Sequence, residues 1–466
     1  MADVPLPGTE LTALDRALPE RAIPDPVRAL LRTLWDADQA AYVVGGSLRD
    51  VALGRAPEDW DLASDARPER LLHIFPGAVY ENRFGTVGVR RDGEVFAVTT
   101  FRSDHDYADY RRPHRVEFGD TIALDLARRD FTVIAMAWGA KAGDAPDLVD
   151  PYGGVSDIEG RVLRAVGEPA RRFEEDALRM VRAIRLATTL AFRIEPATRA
   201  ALETHASLVA HLSGERIAAE LDKLLAAPTP SIGLRLMSDT GLLRPISDEL
   251  ARQRGIPQNK APGEDLWDHT MRTVDAAPAG RPVVRLAALV HDIGKPATFA
   301  EGHFLGHDAV GATLAGVFLD RLRAPRAVRD RIVALVQNHM FSYEANWSDA
   351  AVRRFIGKIE ALGPGALDEL LTLREADNVG SGLPAGAGRL GELRARIEAE
   401  LAAKVVLDRR GLAVDGEDLM SDLGLAQGPL LGRILDDLLE RVIVDPALND
   451  RPTLLLLAQS MLADDR

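Results

Sequence analysis

Near residue 160 the chain changes character, and that change limits what it can fold into. Upstream, short apolar runs of β type alternate with short helical stretches and with turns marked by Gly and Pro; downstream, nearly every segment carries helical periodicity to the C-terminus. The order predicts an α+β protein, with a small mixed β-sheet in an N-terminal head and all-α structure after it. In the head, residues 41–44 read as a strand ended by Gly45-Gly46, with Ser47 as N-cap of a short helix through Leu53. A second strand is expected over 59–63 and a helix over 67–75. Strands over 85–90 and 95–101 are joined through Arg91-Asp92-Gly93, where Asp-Gly is a hairpin signal. The polar stretch 103–120 lacks periodicity and reads as a mobile loop, and a helix is expected over 122–138.

Length and composition set further bounds. A chain of 466 residues is expected to form several domains, because single cores rarely grow beyond about 250 residues. The expected division is a lead-in over 1–30, a head over 31–160, a helical neck over 161–250, a second helical domain over 251–389 and a C-terminal helical region over 390–466. In that last region the periodic apolar residues, Leu454 to Leu457 among them, fit packing rather than chemistry. Cysteine is absent, which excludes disulfides, thiolate nucleophiles and Cys-ligated zinc, so any metal must be held by His, Asp and Glu. The acidic, Pro-rich start and the lack of an 18-residue apolar run predict a cytoplasmic protein with no membrane partner. Oligomeric state is not legible in the sequence. A net charge of −14 argues against a nucleic-acid partner taken over the whole chain, yet residues 161–199 hold nine Arg against five acids, a local basic balance.

Two constellations carry chemistry. In the first, Asp59 and Asp61 flank Trp60, and the period of a strand puts both carboxylates on one face. Such a pair repels unless a cation lies between, and magnesium suits one or two carboxylates together with substrate phosphates. Upstream, Gly45-Gly46-Ser47 closes a strand and opens a helix, presenting backbone N–H groups to a phosphate. Taken singly, an Asp-x-Asp is most often a solvated strand end and a Gly-Gly a turn; the order of the two is what points to a site where metal and triphosphate meet.

The first half of the chain resembles the bacterial class II tRNA nucleotidyltransferases, the CCA-adding enzymes and their poly(A) polymerase relatives. The resemblance rests on eight motifs in family order: Gly45-Gly46-Ser47-Leu48-Arg49-Asp50, Glu58-Asp59-Trp60-Asp61, Arg83-Phe84-Gly85-Thr86, Thr99-Thr100-Phe101-Arg102, Asp109-Tyr110-Arg111-Arg112-Pro113, Asp125-Leu126-Ala127-Arg128-Arg129-Asp130-Phe131-Thr132, Asp150-Pro151-Tyr152-Gly153-Gly154 and Glu174-Glu175-Asp176-Ala177-Leu178-Arg179. It implies that Asp59 and Asp61 hold catalytic Mg2+, that Gly45, Gly46, Ser47 and Arg49 belong to the nucleotide site, and that Arg128, Arg129 and Asp130 meet the sugar and triphosphate. Asp176 and Arg179 are implied to select CTP or ATP. Helical spacing of three supports them as a pair, since an acceptor carboxylate and a forked donor on one face match a base edge. Arg111, Arg112, Arg182, Arg185 and Arg216 are expected to contact tRNA. By spacing alone, Arg216 and Glu220 are a routine helical salt bridge. Residues 103–120 match the family's flexible loop and favour CCA or A addition over CC addition. Two positions depart from the pattern: Ala97 stands where a glutamate is common, and Ile134 where an asparagine is common.

The second constellation lies further on. Five of the ten histidines fall between 269 and 339, and an apolar helical run ends in His291-Asp292-Ile293-Gly294-Lys295-Pro296. His269 lies 22 residues before His291, and Asp377 lies 85 after Asp292. An isolated His on an apolar helix is usually a core residue, but the set resembles the HD metal-dependent phosphohydrolases. The resemblance implies ligation by His269, His291, Asp292 and Asp377, with His307 and His339 placed to complete a second metal and Lys295 to meet a phosphate. Mn2+, Ni2+ or another divalent ion suits these donors. The reading is therefore template-independent addition of CCA, or part of it, to tRNA. The alternatives are a poly(A), A-adding or CC-adding enzyme of the same family, or an HD phosphohydrolase with a degenerate RNA-binding head.

Overall fold

The computed structural model describes residues 18–82, 85–107, 113–258 and 263–464, so the lead-in before Leu18, Arg83, Phe84, Arg111 and Arg112 lie outside the described residues. The chain divides into two compact units, 1–248 and 249–466.

The first unit is built on a seven-stranded sheet. Its strands are β1 (Ala41–Val44), β2 (Asp61–Ser64), β3 (Val79–Asn82), β4 (Thr86–Arg91), β5 (Glu94–Thr100), β8 (Ala137–Ala140) and β9 (Asp147–Val149); β6 (Arg102–Tyr107) and β7 (Pro113–Phe118) form a separate ribbon. The order is β3-β4-β5-β2-β1-β8-β9. Only β2 and β5 run parallel and every other neighbouring pair is antiparallel, so the sheet is mixed. β1 is buried at all four residues, as its unbroken apolar run requires. Against the sheet's β1 edge with β8, the Trp35 indole donates to the carbonyls of Ala41 and Ala140 at 3.2 Å each. Trp35 belongs to the helix Asp25–Asp36, which buries Val27, Leu30, Leu31 and Leu34, the spacing of one helical face.

Three local expectations are corrected. The single helix over 122–138 is instead a helix Ile122–Ala127, a 3-10 turn Thr132–Ile134 and the strand β8. A short apolar run suits a buried strand as well as a helix, and pairing along the whole of β1 decides it. The loop over 103–120 is a hairpin: Arg102 pairs with Phe118 and Tyr107 with Pro113, with its tip 108–112 outside the described residues. Its ladder carries no apolar alternation that periodicity would detect. Ser47 does not cap its helix. The helix Gly46–Ala52 starts two residues earlier with Gly45 at the cap, in a left-handed conformation (φ +87°) that favours glycine, and the buried Ser47 hydroxyl donates back to the Val44 carbonyl at 3.4 Å.

After β9 the first unit is helical apart from two short strands, Val162–Leu163 and Arg193–Ile194, which pair in parallel. The helix Leu178–Leu190 is buried on most of its circumference, and Gly214–Leu225 packs along it. The second unit is helical where its regular structure is described. Leu266–Ala276, Pro282–Val290, His307–Arg321, Arg326–Asn338 and Ala366–Gly380 surround a buried polar cluster, and a separate core near the C-terminus gathers Leu419, Ile434, Leu438, Val442 and Leu454. Leu454 is fully buried while Leu456 is exposed. Among the described residues no helix is long and apolar enough to cross a membrane.

Candidate active site and metal centre

The sheet and the neck enclose a cavity of about 500 Å3. β2 contributes Asp61, β4 Thr86, and β5 Ala97 and Thr99; the turn after the Ile122–Ala127 helix contributes Arg128, Arg129, Asp130 and Ile134; Asp176, Arg179 and Arg182 come from the neck. Residues 61, 128–130 and 176–182, more than a hundred positions apart at the extremes, thus share one space. Both departures from the family pattern, Ala97 and Ile134, line it too. Asp59 lies just before β2 rather than on it, and lines an adjoining cavity of about 460 Å3 with Glu58, Trp60 and Glu94; Asp61 and Ala97 border both. Gly45, Gly46, Ser47 and Arg49 are not among the residues that line the first cavity. Ser47 is turned inward, and Arg49 is bound by its neighbour Asp50 at 2.7 Å. Gly45 acts from behind: a Cβ there would stand 3.0 Å from the Arg129 guanidinium, so a side chain at 45 would crowd that cation.

Buried carboxylates hold the arginines in place. Asp125, fully enclosed, accepts from Arg128 at 2.7 and 3.0 Å and from Arg129 at 3.1 Å. Burial alone would raise its acidity constant's pKa, but Arg128 and Arg129 hold the carboxyl below the usual range. Asp130 behaves likewise: burial opposes its charge, and Arg182 and Arg179 outweigh it. Asp61 goes the other way. Partial desolvation, then the neighbouring Asp59, push its carboxyl up, and Arg129 only offsets this. Two carboxylates suffice for a Mg2+ that also meets phosphates, so Asp59 and Asp61 could hold one.

Asp176 and Arg179 both face the cavity but do not pair. Arg179 is held by Glu175 at 2.7 Å and donates to the Arg128 carbonyl at 3.0 Å, while Asp176 is held by Arg216 at 2.7 Å. The helical pair Arg216–Glu220 does not form either. Glu220, buried, instead accepts from Arg185 at 2.8 Å and Arg182 at 3.4 Å, and Arg182 continues to Asp130 at 2.8 Å. Helical spacing makes these pairings available without choosing among them; partners on another helix offer a buried carboxylate two cations instead of one. Arg182, Arg185 and Arg216, expected on an RNA face, are therefore each bound to an internal acid. Asp125 was not singled out for a role by sequence reading, although its spacing of three and four to Arg128 and Arg129 is the available signal.

The second unit gathers every residue named for the HD constellation. His269, His291 and Asp377 form one group of potential ligands, and Asp292, His307 and His339 another, with one ligand atom from each lying within 4.8 Å of its group partners. The Nε2 atoms of His269 and His291 face each other at 3.1 Å. Asp292 stands between the groups: Oδ2 is 3.1 Å from His291 and 3.3 Å from His269, and Oδ1 is 3.4 Å from His307 and 3.6 Å from His339. Nε2 of His307 and of His339 is buried without a hydrogen bond, and the Nδ1 of each is occupied by a backbone carbonyl, which orients the ring. Burial holds His291 and His307 toward the neutral form that ligates metals. These donors fit divalent ions. Lys295 lies 2.6 Å from Asp292, and Arg374, one turn before Asp377 and missed in the sequence, bonds it at 2.9 Å. The cluster opens on a cavity of about 520 Å3 whose other wall is Phe304, Leu305, Met340 and Leu383. Gly294, in the turn that follows His291-Asp292, sets the distance of that turn from the His307–Arg321 helix: a Cβ there would fall 2.3 Å from the His307 carbonyl and 2.5 Å from the Gly311 amide. Gly294→Ala is expected to push His307 away from Asp292 and lower the bound divalent metal per chain, measured by elemental analysis, with nucleotide addition retained.

Family models match three stretches: the poly A polymerase head domain over residues 41–164, the probable RNA and SrmB-binding site of polymerase A over 191–253, and the HD domain over 266–380. A CCA-adding enzyme of Geobacillus kaustophilus is 42% identical over 214 residues, 46% of this chain and about half, 52%, of that relative. A CCA-adding enzyme of Levilactobacillus brevis is 33% identical over 438 residues, 92% of this chain and 95% of the relative. Among solved structures, the CCA-adding enzyme of Bacillus stearothermophilus in complex with CTP superposes with a TM-score of 0.67 at 27% identity, covering 95% of this chain and 99% of that one. With the similarity running through head, neck and HD region alike, this chain belongs to the family of CCA-adding enzymes.

Proposed function

We propose that this chain is a tRNA nucleotidyltransferase that builds the 3′-terminal CCA from CTP and ATP and releases pyrophosphate. The observation that carries the reading is the single cavity in which Asp61, the Arg128-Arg129-Asp130 turn and Asp176/Arg179 converge. The 3′-hydroxyl of the tRNA attacks the α-phosphorus, the bond to the β-phosphate oxygen breaks, and pyrophosphate carries away the electron pair. Asp59 and Asp61 would hold Mg2+, which when bound supplies positive charge to the phosphates. Arg128 and Arg129, pinned by Asp125, face the triphosphate, and Asp130 accepts a hydrogen bond from the sugar. Asp176 accepts from the exocyclic amino group of C or A, while Arg179 donates to ring acceptors. Arg182 and Arg185 then act chiefly by holding Asp130 and Glu220, and Arg111 and Arg112 remain the candidates for tRNA contact. In this reading 31–160 is the catalytic head, 161–250 the nucleotide-selecting neck, 251–389 the HD domain and 390–466 a packing region, and the tRNA substrate places the enzyme in the cytoplasm. The HD cluster would hold Mn2+, Ni2+ or another divalent ion through His269, His291, Asp292, His307, His339 and Asp377 and, with Lys295 and Arg374 at its rim, is suited to a phosphate ester as a subsidiary activity. A hydrolase with an inactive head is not favoured, since the full-length relatives are CCA-adding enzymes.

The test is direct. Pure protein with Mg2+ is given tRNAs ending before CCA, after C and after CC, with CTP and ATP singly and together. Stepwise addition of C, C and A is expected; no incorporation on any of the three would overturn the reading.

A further inference from the structure

We propose that Arg216 is a positioning residue for base selection: it fixes the Asp176 carboxylate so that one acceptor faces the base, and thereby sets the preference for C and A over U and G. The inference rests on the reading that Asp176 addresses the base edge. Asp176 occupies the kink between the helices Pro169–Glu175 and Leu178–Leu190, with extended backbone (φ −146°), so its side chain is not held by a regular helix surface. Two contacts fix it. The Leu178 amide donates to Oδ1 at 3.0 Å, and Nη2 of Arg216 lies 3.0 Å from Oδ1 and 2.7 Å from Oδ2. A carboxylate offers about four lone-pair sites. With these donors in place, the acceptor capacity that remains is directed to the cavity Asp176 lines, a cavity whose lining does not include Arg216.

Arg216 is not arranged as a phosphate contact. Its side chain is about four-fifths enclosed, at 21% relative exposure, and Nη1 is buried without a hydrogen-bond partner, so the guanidinium cannot turn outward without giving up Asp176. One turn along the same helix, Glu220 holds Arg182 and Arg185, and Arg182 holds Asp130. The Gly214–Leu225 helix therefore steadies both acids at the cavity, through a cation at Asp176 and through an anion that positions a cation at Asp130. The chemical consequence is specific. C and A present an amino donor where U and G present a carbonyl oxygen, so a carboxylate held toward the base accepts from the first pair and repels the second. If Arg216 is removed, the carboxylate keeps only the Leu178 contact and can swing, and the repulsion of U and G weakens.

The experiment measures single-turnover kcat/KM for CTP, UTP, ATP and GTP with the full chain, Mg2+, and tRNAs ending before CCA or after CC. Arg216→Gln, uncharged and too short to span to Asp176 as Arg216 does, is expected to lower the CTP/UTP and ATP/GTP ratios about tenfold or more. Arg216→Lys, which keeps one donor on Asp176, is expected to recover part of the ratio. Equal losses for right and wrong nucleotides in Arg216→Gln, or unchanged ratios, would overturn the proposal by reducing Arg216 to a structural strut or to no role. Asp176→Ala separates the two levels: if it alters the ratios while Arg216→Gln does not, base reading stands and the role of Arg216 falls. If Asp176→Ala leaves the ratios unchanged, the base reading fails and the Arg216 proposal fails with it.

Discussion

Asp61→Asn is expected to lower nucleotide addition by about a thousandfold or more, while the thermal midpoint of the metal-free protein stays where it is or rises. The loss follows from the proposed metal role: a charge stabilisation of several kcal/mol corresponds, at about 1.36 kcal/mol per decade of rate, to about three decades. The stability sign follows from the environment. Desolvation first, and Asp59 second, hold the Asp61 carboxyl above its usual range, so folding disfavours the charged form, and taking the charge away relieves repulsion instead of leaving a partner stranded. Asp59→Asn should lose activity likewise. Incorporation of labelled CTP and a melting curve on the same preparation check both halves. An inactive variant that also melts early would mean that the carboxylate is structural. An active one would remove Asp61 from the chemistry.

Asp125→Ala has the opposite signature: the head is destabilised by about 3–5 kcal/mol, the cost of stranding partly buried cations by removing their partner. Asp125 is fully buried, and Arg128 and Arg129, which it binds, keep only 20% and 17% side-chain exposure. Its pKa is depressed, so the stabilisation is fully present above the ordinary carboxylate range and is lost as pH falls through the lower folded value. The gap between wild type and Asp125→Ala should therefore be widest near neutral pH and shrink in acid. Denaturation of the head at pH 7 and at acid pH, followed by hydrogen exchange of the β1 and β8 amides, measures it. Nucleotide affinity should fall along with stability, since the two arginines that face the cavity lose their anchor. A variant as stable as wild type would show that Arg128 and Arg129 hold their positions without Asp125.

The acid–arginine lattice is also where sequence reading and structure part company. Asp61, Arg128, Arg129, Asp130, Asp176 and Arg179 were all named from motifs, and the structure brings them to one cavity. What the motifs did not carry was pairing. An i, i+4 spacing offers Arg216 a partner in Glu220, yet the buried Glu220 faces Arg182 and Arg185 on the neighbouring helix and Arg216 faces Asp176. Local spacing lists the pairs a helix permits; packing of one helix on another decides which carboxylate is desolvated and so which cation it must take. The segment 122–138 shows the same effect in the backbone. Its first turns are helical, but its apolar end from Ala137 suits a helix or a strand about equally, and pairing with β1 selects the strand by completing a ladder.

By itself, then, the sequence determined the α+β head and the helical remainder and the strand–turn–helix entry at Gly45, because strand and helix periods are local properties of the chain, and its motifs named Asp59, Asp61 and the six His and Asp residues of the HD constellation as candidates. Only the tertiary structure decided that β8 closes against β1, that Asp292 stands between the two groups of potential ligands, and that Asp125, Glu220 and Arg216 are the internal counter-charges around the cavity. Desolvation is the reason: which charges must be matched depends on which are buried, and burial is set by elements that meet in space from distant parts of the chain.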